Sequence, residues 1–287
     1  MGKSAVTKDL ATSLTEALRV HDGFVLSDRD PSSTPGFEHG KKKAAKLRTR
    51  TGPELSDLQE RMFAESRLGG TRNVLLVMQG MDTSGKGGIM RHVIGHVDPQ
   101  GVHHHAFKKP TEEELGHPFL WRIRNALPPA GDIGVFDRSH YEDVLIARVH
   151  ELASPATIGR RYGQINDFEK SLVDGGTSVV KVMLHISRQE QGSRLARRLD
   201  RPDKLWKFTE NDVRERTYWA AYQQAYQFVM DKTSTDSAPW YVVPADHKWY
   251  ARLAVHHLLL NHLRTMDPQW PMPTYDVDEQ RAALART

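Results

Sequence analysis

Gly80-Met81-Asp82-Thr83-Ser84-Gly85-Lys86-Gly87-Gly88 decides how this chain is read. An apolar run, Val74-Leu75-Leu76-Val77-Met78, precedes it and a helical run starts at Ile89, so the glycines sit between a buried strand and a helix. The G-x-x-x-x-G-K spacing is that of a phosphate cradle. Gly80, Gly85, Gly87 and Gly88 permit the backbone angles that turn N–H groups inward, and Thr83 and Ser84 lie within the same turn. Lys86 supplies a mobile positive charge for a phosphoryl group in transfer. Gly87 stands where such loops usually carry a metal-binding Ser or Thr. Another residue must then hold the cation. Asp82, inside the loop, is costly beside phosphates unless a divalent ion lies between them, which makes it a candidate metal ligand or general base.

Outward from the loop, short apolar runs alternate with helical patterns, as in βαβ units around a parallel sheet. Strands are predicted near 74–78, 102–107, 133–136, 179–186 and 240–243. Helices are predicted near 86–96, 112–126, 142–152, 158–174, 189–199, 212–232 and 248–263. No repeat or Gly/Ser linker divides the chain, so one α/β domain is expected over residues 37–265. An N-terminal arm covers 1–36 and an extension covers 266–287. The arm is read as turn-rich and draped over the domain, because Ser27 to Gly36 is crowded with turn formers. A helical pattern is read from Glu54 to Arg67, after a basic cluster running from Lys41 to Arg50.

Asp137 ends the third strand, in Ile133-Gly134-Val135-Phe136-Asp137-Arg138-Ser139-His140-Tyr141-Glu142-Asp143. A carboxylate there reaches a cation beside the loop, and Arg138 can stabilise the phosphoryl group in flight. Arg194, Arg197, Arg198 and Arg201 share a helical face that leads to Lys204 and Trp206-Lys207-Phe208. A lid over about 188–216 that brings arginines onto phosphates explains that face. An exposed basic helix neutralised by Asp200, Asp203, Glu210 and Asp212 is the alternative. His103-His104-His105 is read as a partly exposed strand rather than a metal cluster, since alternate strand residues face opposite sides. Trp219, Tyr222 and Tyr226, the strand Trp240 to Val243, and Lys248-Trp249-Tyr250 are read as core.

With 38% hydrophobic and 26% charged residues among 287, the chain has the composition of a folded globular protein. Forty Lys and Arg against 36 Asp and Glu favour an anionic partner. The absence of cysteine excludes disulfides and thiolate chemistry. The N-terminal residues, with Lys3, Lys8 and Asp9, lack a signal-peptide core, and no apolar run nears the roughly 20 residues that cross a bilayer. A cytoplasmic location without membrane contact is expected.

Taken together, the 80–88 loop, Asp137 to Asp143, Arg198-Leu199-Asp200 with Trp206-Lys207-Phe208, and Trp240 to Ala245 with Lys248-Trp249-Tyr250 resemble the polyphosphate kinase 2 family over about residues 36–265. The resemblance implies a P-loop kinase-like fold related to thymidylate kinase: a parallel sheet flanked by helices, with a helical lid. It implies reversible phosphoryl transfer between inorganic polyphosphate and nucleotides. Asp82 and Asp137 would hold Mg²⁺, or Mn²⁺ in its place, and Lys86, Arg138 and Arg198 would neutralise the moving phosphate. The His140-Tyr141-Glu142-Asp143 run is similar to that of the subgroup phosphorylating both AMP and ADP, which points to Glu142 as a determinant of acceptor choice. Guanine nucleotides form a further acceptor class, and a homodimer or homotetramer is implied. Arg91, Arg148, Arg194, Arg201, Lys204 and Lys207 are assigned to substrate phosphates.

A polyanionic donor would also want an extended basic track, for which Lys41 to Lys46, Arg91, Lys108, Lys109, Arg122 and Arg124 are candidates. An ATP-dependent nucleoside monophosphate kinase shares the loop and lid but should carry a hydroxyl where Gly87 stands. A non-catalytic nucleic-acid-binding module would need neither Asp82 nor Asp137, so no nucleic-acid partner is expected.

Overall fold

Val74 to Met78 and Val180 to Leu184 are buried on both faces, as strands inside a parallel sheet must be. The computed structural model describes residues 2–287, with side chains from Leu10 onward. Met1 and the side chains of residues 2–9, including Lys3, Lys8 and Asp9, lie outside the described ones. Five strands, β1 (Asn73–Gln79), β2 (Val102–Ala106), β3 (Ile133–Asp137), β4 (Thr177–His185) and β5 (Trp240–Pro244), form one parallel sheet in the order β2-β3-β1-β4-β5. All five match the expected strands to within about two residues at either end. β1 lies in the centre and ends at the loop; β3 pairs beside it with Met78 opposite Asp137. That register brings the two motifs to one edge, the carboxyl ends of the strands, where open α/β sheets bind ligands.

The helices are α1 (Gly2–Leu18), α2 (Lys41–Arg67), α3 (Lys86–His92), α4 (Glu112–Leu115), α5 (Trp121–Asn125), α6 (Ile146–Val149), α7 (Pro155–Asp174), α8 (Arg188–Leu199), α9 (Glu210–Glu215), α10 (Trp219–Thr233), α11 (Lys248–Met266) and α12 (Val277–Leu284). In one layer α11 packs on β4 and β5 and carries α1, α2 and α3; in the other α7 packs on β4 with α10 beside it. Among the described residues no helix is long and apolar enough to cross a membrane.

Three expectations are revised. The arm opens with a helix: Ala11, Leu14, Thr15 and Leu18 of α1 form a buried stripe at helical spacing. The helix expected from Glu54 begins at Lys41 and runs through Pro53, because Ala44, Leu47, Thr51, Leu55, Leu58 and Met62 keep one continuous core face. The single helix expected over 112–126 is two short ones separated at Gly116 to Leu120, where Pro118 cannot donate to a helical ladder. His103, His104 and His105 lie on the sheet's edge strand, and no group of three or more metal-ligating side chains occurs among the described residues.

Behind the carboxyl edge of the sheet lies a buried charge network. Lys181 Nζ donates to Glu169 Oε2 at 2.6 Å, to the Thr233 carbonyl at 2.6 Å and to the Tyr141 hydroxyl at 3.1 Å. Glu169 Oε1 also accepts from the Tyr141 hydroxyl at 2.7 Å and meets His140 Nε2 at 3.1 Å. Lys181 and Glu169 have 0% and 1% of their surface exposed, so each needs the other to stay charged. The network anchors His140 and Tyr141, and with them the turn that carries Glu142.

Candidate active site

The loop after β1 is strained where it must bend. Gly80 has φ 153°, Thr83 63° and Gly85 125°. A Cβ on Gly80 would come within 2.7 Å of Ser84 Oγ and 2.8 Å of the Leu184 carbonyl, so only glycine fits there. α3 begins at Lys86, so its first N–H groups have no partner within the helix and the positive end of its dipole faces the loop. Lys86 Nζ folds back onto the Gly80 carbonyl at 3.0 Å, keeping its charge over the loop. A Cβ on Gly87 would meet nothing within 4 Å, so sterics do not explain why a hydroxyl is missing there.

Arg138, directly after β3, adopts a left-handed φ of 65°, a strained backbone for a non-glycine residue. Its guanidinium lies 3.5 Å from Asp82 Oδ1. Burial works against its charge, but Glu142, Asp82 and Asp137 outweigh burial and hold its pKa above the ordinary arginine value. Burial pushes the Glu142 carboxyl up, against the pull of Arg138 and Lys86. Gln79, buried at the end of β1, holds this turn. With its amide nitrogen toward Glu142 it donates to Oε1 at 3.1 Å, while its oxygen accepts from the Ser139 N–H at 3.2 Å.

One cleft of about 970 Å³ takes in the loop from Asp82 to Ile89, Asp137 and Arg138, and the lid residues Arg197, Arg198, Arg201, Lys204 and Lys207. Eleven lysines and arginines and three aspartates line it. The lid acids are largely spent on their neighbours. Asp203 pairs with Arg201 at 2.8 Å and Lys204 at 3.1 Å, which hold its carboxyl at about 2, and Arg198 lies 3.8 Å from Asp212. Trp206, which also lines the cleft, has 76% of its surface exposed.

Several assigned residues take other places. Arg148 lies over the Phe228 ring, 4.0 Å from its centroid, and is absent from the cleft lining. Arg194 is buried with its donors on backbone carbonyls and Glu190, so it has none left for a phosphate. Of the basic track, Arg91 lines the cleft. Arg122 is instead buried between Glu114 and Asp143, at 3.7 and 3.5 Å, and Arg124 covers the Phe168 ring. Lys248, read as core, lines the cleft with Arg252, whose guanidinium would stand 3.6 Å from a Cβ on Gly88. Burial and then neighbouring arginines depress the pKa of both Lys248 and Arg252, a tension that an anion would relieve. Both follow a strand–turn–helix pattern parallel to the loop's own, which is the signal that could have found them.

Two carboxylates in the cleft fit a hard divalent cation of the Mg²⁺ type. Such an ion takes one or two protein carboxylates and fills its remaining positions with substrate oxygens and water. Asp82 and Asp137 would hold it, and it would supply positive charge that offsets the charge of a bound phosphate.

The profile of the family described as Polyphosphate kinase 2 (PPK2) matches residues 38–271. The chain is 43% identical over 250 residues to an AMP/ADP-polyphosphate phosphotransferase of Meiothermus ruber, spanning 87% of this chain and 92% of that one. It is 39% identical over 273 residues to an ADP-polyphosphate phosphotransferase of Rhodopseudomonas palustris, spanning 91% and 93%. The crystal structure of polyphosphate kinase 2 from Arthrobacter aurescens TC1 superposes with a TM-score of 0.94 at 51% identity, covering 96% of this chain and 98% of the other. With the family's profile matched over residues 38–271 and the loop and strand-end aspartate gathered at the carboxyl edge of a parallel sheet, the chain belongs to the polyphosphate kinase 2 family.

Proposed function

We propose that this protein transfers phosphoryl groups between inorganic polyphosphate and nucleotides, with both ADP and AMP as acceptors, in the presence of Mg²⁺. The observation that carries the reading is the charge of the cleft: eleven cationic side chains line it against three carboxylates, and an excess of cations remains after Glu190, Asp203 and Asp212 are set against Arg194, Arg197, Arg198, Arg201 and Lys204. A long polyanion matches it. Asp82 and Asp137 hold the cation, Arg138 and Lys86 neutralise the moving phosphoryl group, and Arg198 joins them from the lid. Positioning and charge neutralisation are the main demands of phosphoryl transfer. Glu142, on the turn braced by Gln79 and the Lys181–Glu169 network, stands beside Arg138 and contributes to acceptor choice.

The test supplies the protein with Mg²⁺, long-chain polyphosphate and either ADP or AMP. ATP from the first and ADP from the second are the expected products. Turnover of ADP alone would remove the role given to Glu142. Phosphorylation of a nucleoside monophosphate by ATP, with none by polyphosphate, would place the activity among ordinary nucleotide kinases. Reversing the charge of Arg252 should raise KM for long-chain polyphosphate by about tenfold and leave KM for ADP within about twofold, since loss of one strongly placed phosphate contact is worth about 1–2 kcal/mol. Equal increases in both would place Arg252 on the nucleotide instead.

A further inference from the structure

Arg194 has 5% of its surface exposed, and each of its five N–H donors is engaged within the fold. Nε donates to Glu190 Oε1 at 2.8 Å. Nη1 donates to the carbonyls of Thr83 and Ser84 at 2.8 and 3.0 Å, and Nη2 to those of Ala245 and Asp246 at 2.6 and 2.9 Å. One side chain on the lid helix α8 thus ties together the phosphate loop and the turn between β5 and α11.

We propose that Arg194 is a positioning residue that sets the phosphate loop in its binding geometry and joins it to the root of the lid. This rests on the phosphotransferase reading above. A trans peptide points its C=O and its N–H in opposite directions, so drawing the Ser84 carbonyl onto Arg194 turns the Gly85 N–H to the other side of the loop. The Thr83 carbonyl belongs to a residue in the left-handed region, a backbone state that persists only where surrounding structure imposes it. The guanidinium imposes it from behind, through a planar fork that no lysine reproduces.

The clamp continues beyond the loop. Asp246 Oδ1 accepts from the Ser187 N–H at 2.8 Å, and Ser187 Oγ caps α8 through the Glu190 N–H at 3.1 Å. The Asp246 N–H donates to the Pro31 carbonyl of the N-terminal arm at 3.1 Å. The first turns of α8 are therefore fixed to the loop, the sheet edge and the arm together. Beyond Arg194 the side chains open to solvent, and Arg197 and Arg201 are more than half exposed.

Arg194→Lys keeps the charge and loses the fork. With polyphosphate and ADP, well below the melting temperature, it should lower kcat/KM by about 10²-fold, the cost of a small misplacement of reacting groups. Calorimetric affinity for tripolyphosphate, which requires no turnover, should fall about tenfold. The same substitution in a Thr83→Gly background, where the loop needs less restraint, should cost at most about a tenth as much, a coupling that independent sites do not show. Arg194→Lys retaining activity within about threefold would mean that charge alone is required and would overturn the clamp. So would equal losses in the two backgrounds, or a loss explained by the unfolded fraction. If the unaltered protein binds tripolyphosphate but does not turn over polyphosphate, the functional reading fails while the binding and coupling measurements still decide the role of Arg194.

Discussion

Between about pH 6.5 and 4 the fold should lose about 4 kcal/mol of stability per pH unit. Three histidines drive the loss, His256 and His257 fully buried and His262 partly so, each contributing about 1.4 kcal/mol per unit. Burial, then the neighbouring His257, His96 and Arg48, push the His256 pKa down to about 2. Burial and Arg264 push His257 down to about 4, and burial alone does the same to His262. All three are neutral in the folded protein, whereas in the unfolded chain they take up protons as the pH falls through about 6.5. The unfolded state therefore binds more protons, and stability falls with falling pH until each folded pKa is reached. A protein of ordinary stability, about 5–15 kcal/mol, should open near pH 5 to 4. Urea midpoints measured across this range give the slope. Neither ring nitrogen of His257 has a hydrogen-bond partner among the described residues, so His257→Phe removes a proton site without breaking a bond. It should flatten the slope by about a third; an unchanged slope would mean that carboxylates, not histidines, govern acid opening.

The second large effect is catalytic. Asp82→Asn and Asp137→Asn should each lower kcat with polyphosphate by about 10³-fold, about 4 kcal/mol in the barrier, with little change in melting temperature, since both side chains are partly exposed in the cleft. The sign of a companion measurement separates this from general damage. Each substitution removes a negative charge beside a polyanion, so tripolyphosphate affinity measured without metal should hold or rise. A variant keeping more than a tenth of the activity would not hold the cation, and weaker metal-free binding would indicate a disturbed loop.

The strands, the phosphate loop and the carboxylate ending β3 were legible because each is announced locally. An apolar run, a glycine spacing and an aspartate at a strand end need no knowledge of distant residues. What was not legible depends on packing across the chain. α1 hides its stripe of Ala11, Leu14 and Leu18 among serines and threonines, and its partner α11 lies far along the sequence. Pro53 reads as a boundary until the core face of α2 is seen to run through it. The arginine face of α8 reads as a face for anions, yet helical spacing cannot tell which guanidinium turns inward, so Arg194 reads like its neighbours. Gln79 and Lys181 look like ordinary strand residues until Glu142 and Glu169 are folded against them.

The order of strands in the sheet also sets a timetable for synthesis. β1 is made early, but its two neighbours are β3 and β4, and the carbonyls that complete the Arg194 clamp belong to Ala245 and Asp246. At the usual 5–20 residues per second, the ribosome takes roughly 10–30 s to pass from the loop to that turn. Through that interval the glycine-rich segment exists without the contacts that shape it. A nascent chain therefore carries its phosphate loop unclamped until the turn at Ala245 and Asp246 has emerged, and only then holds it in the geometry that grips a polyanion.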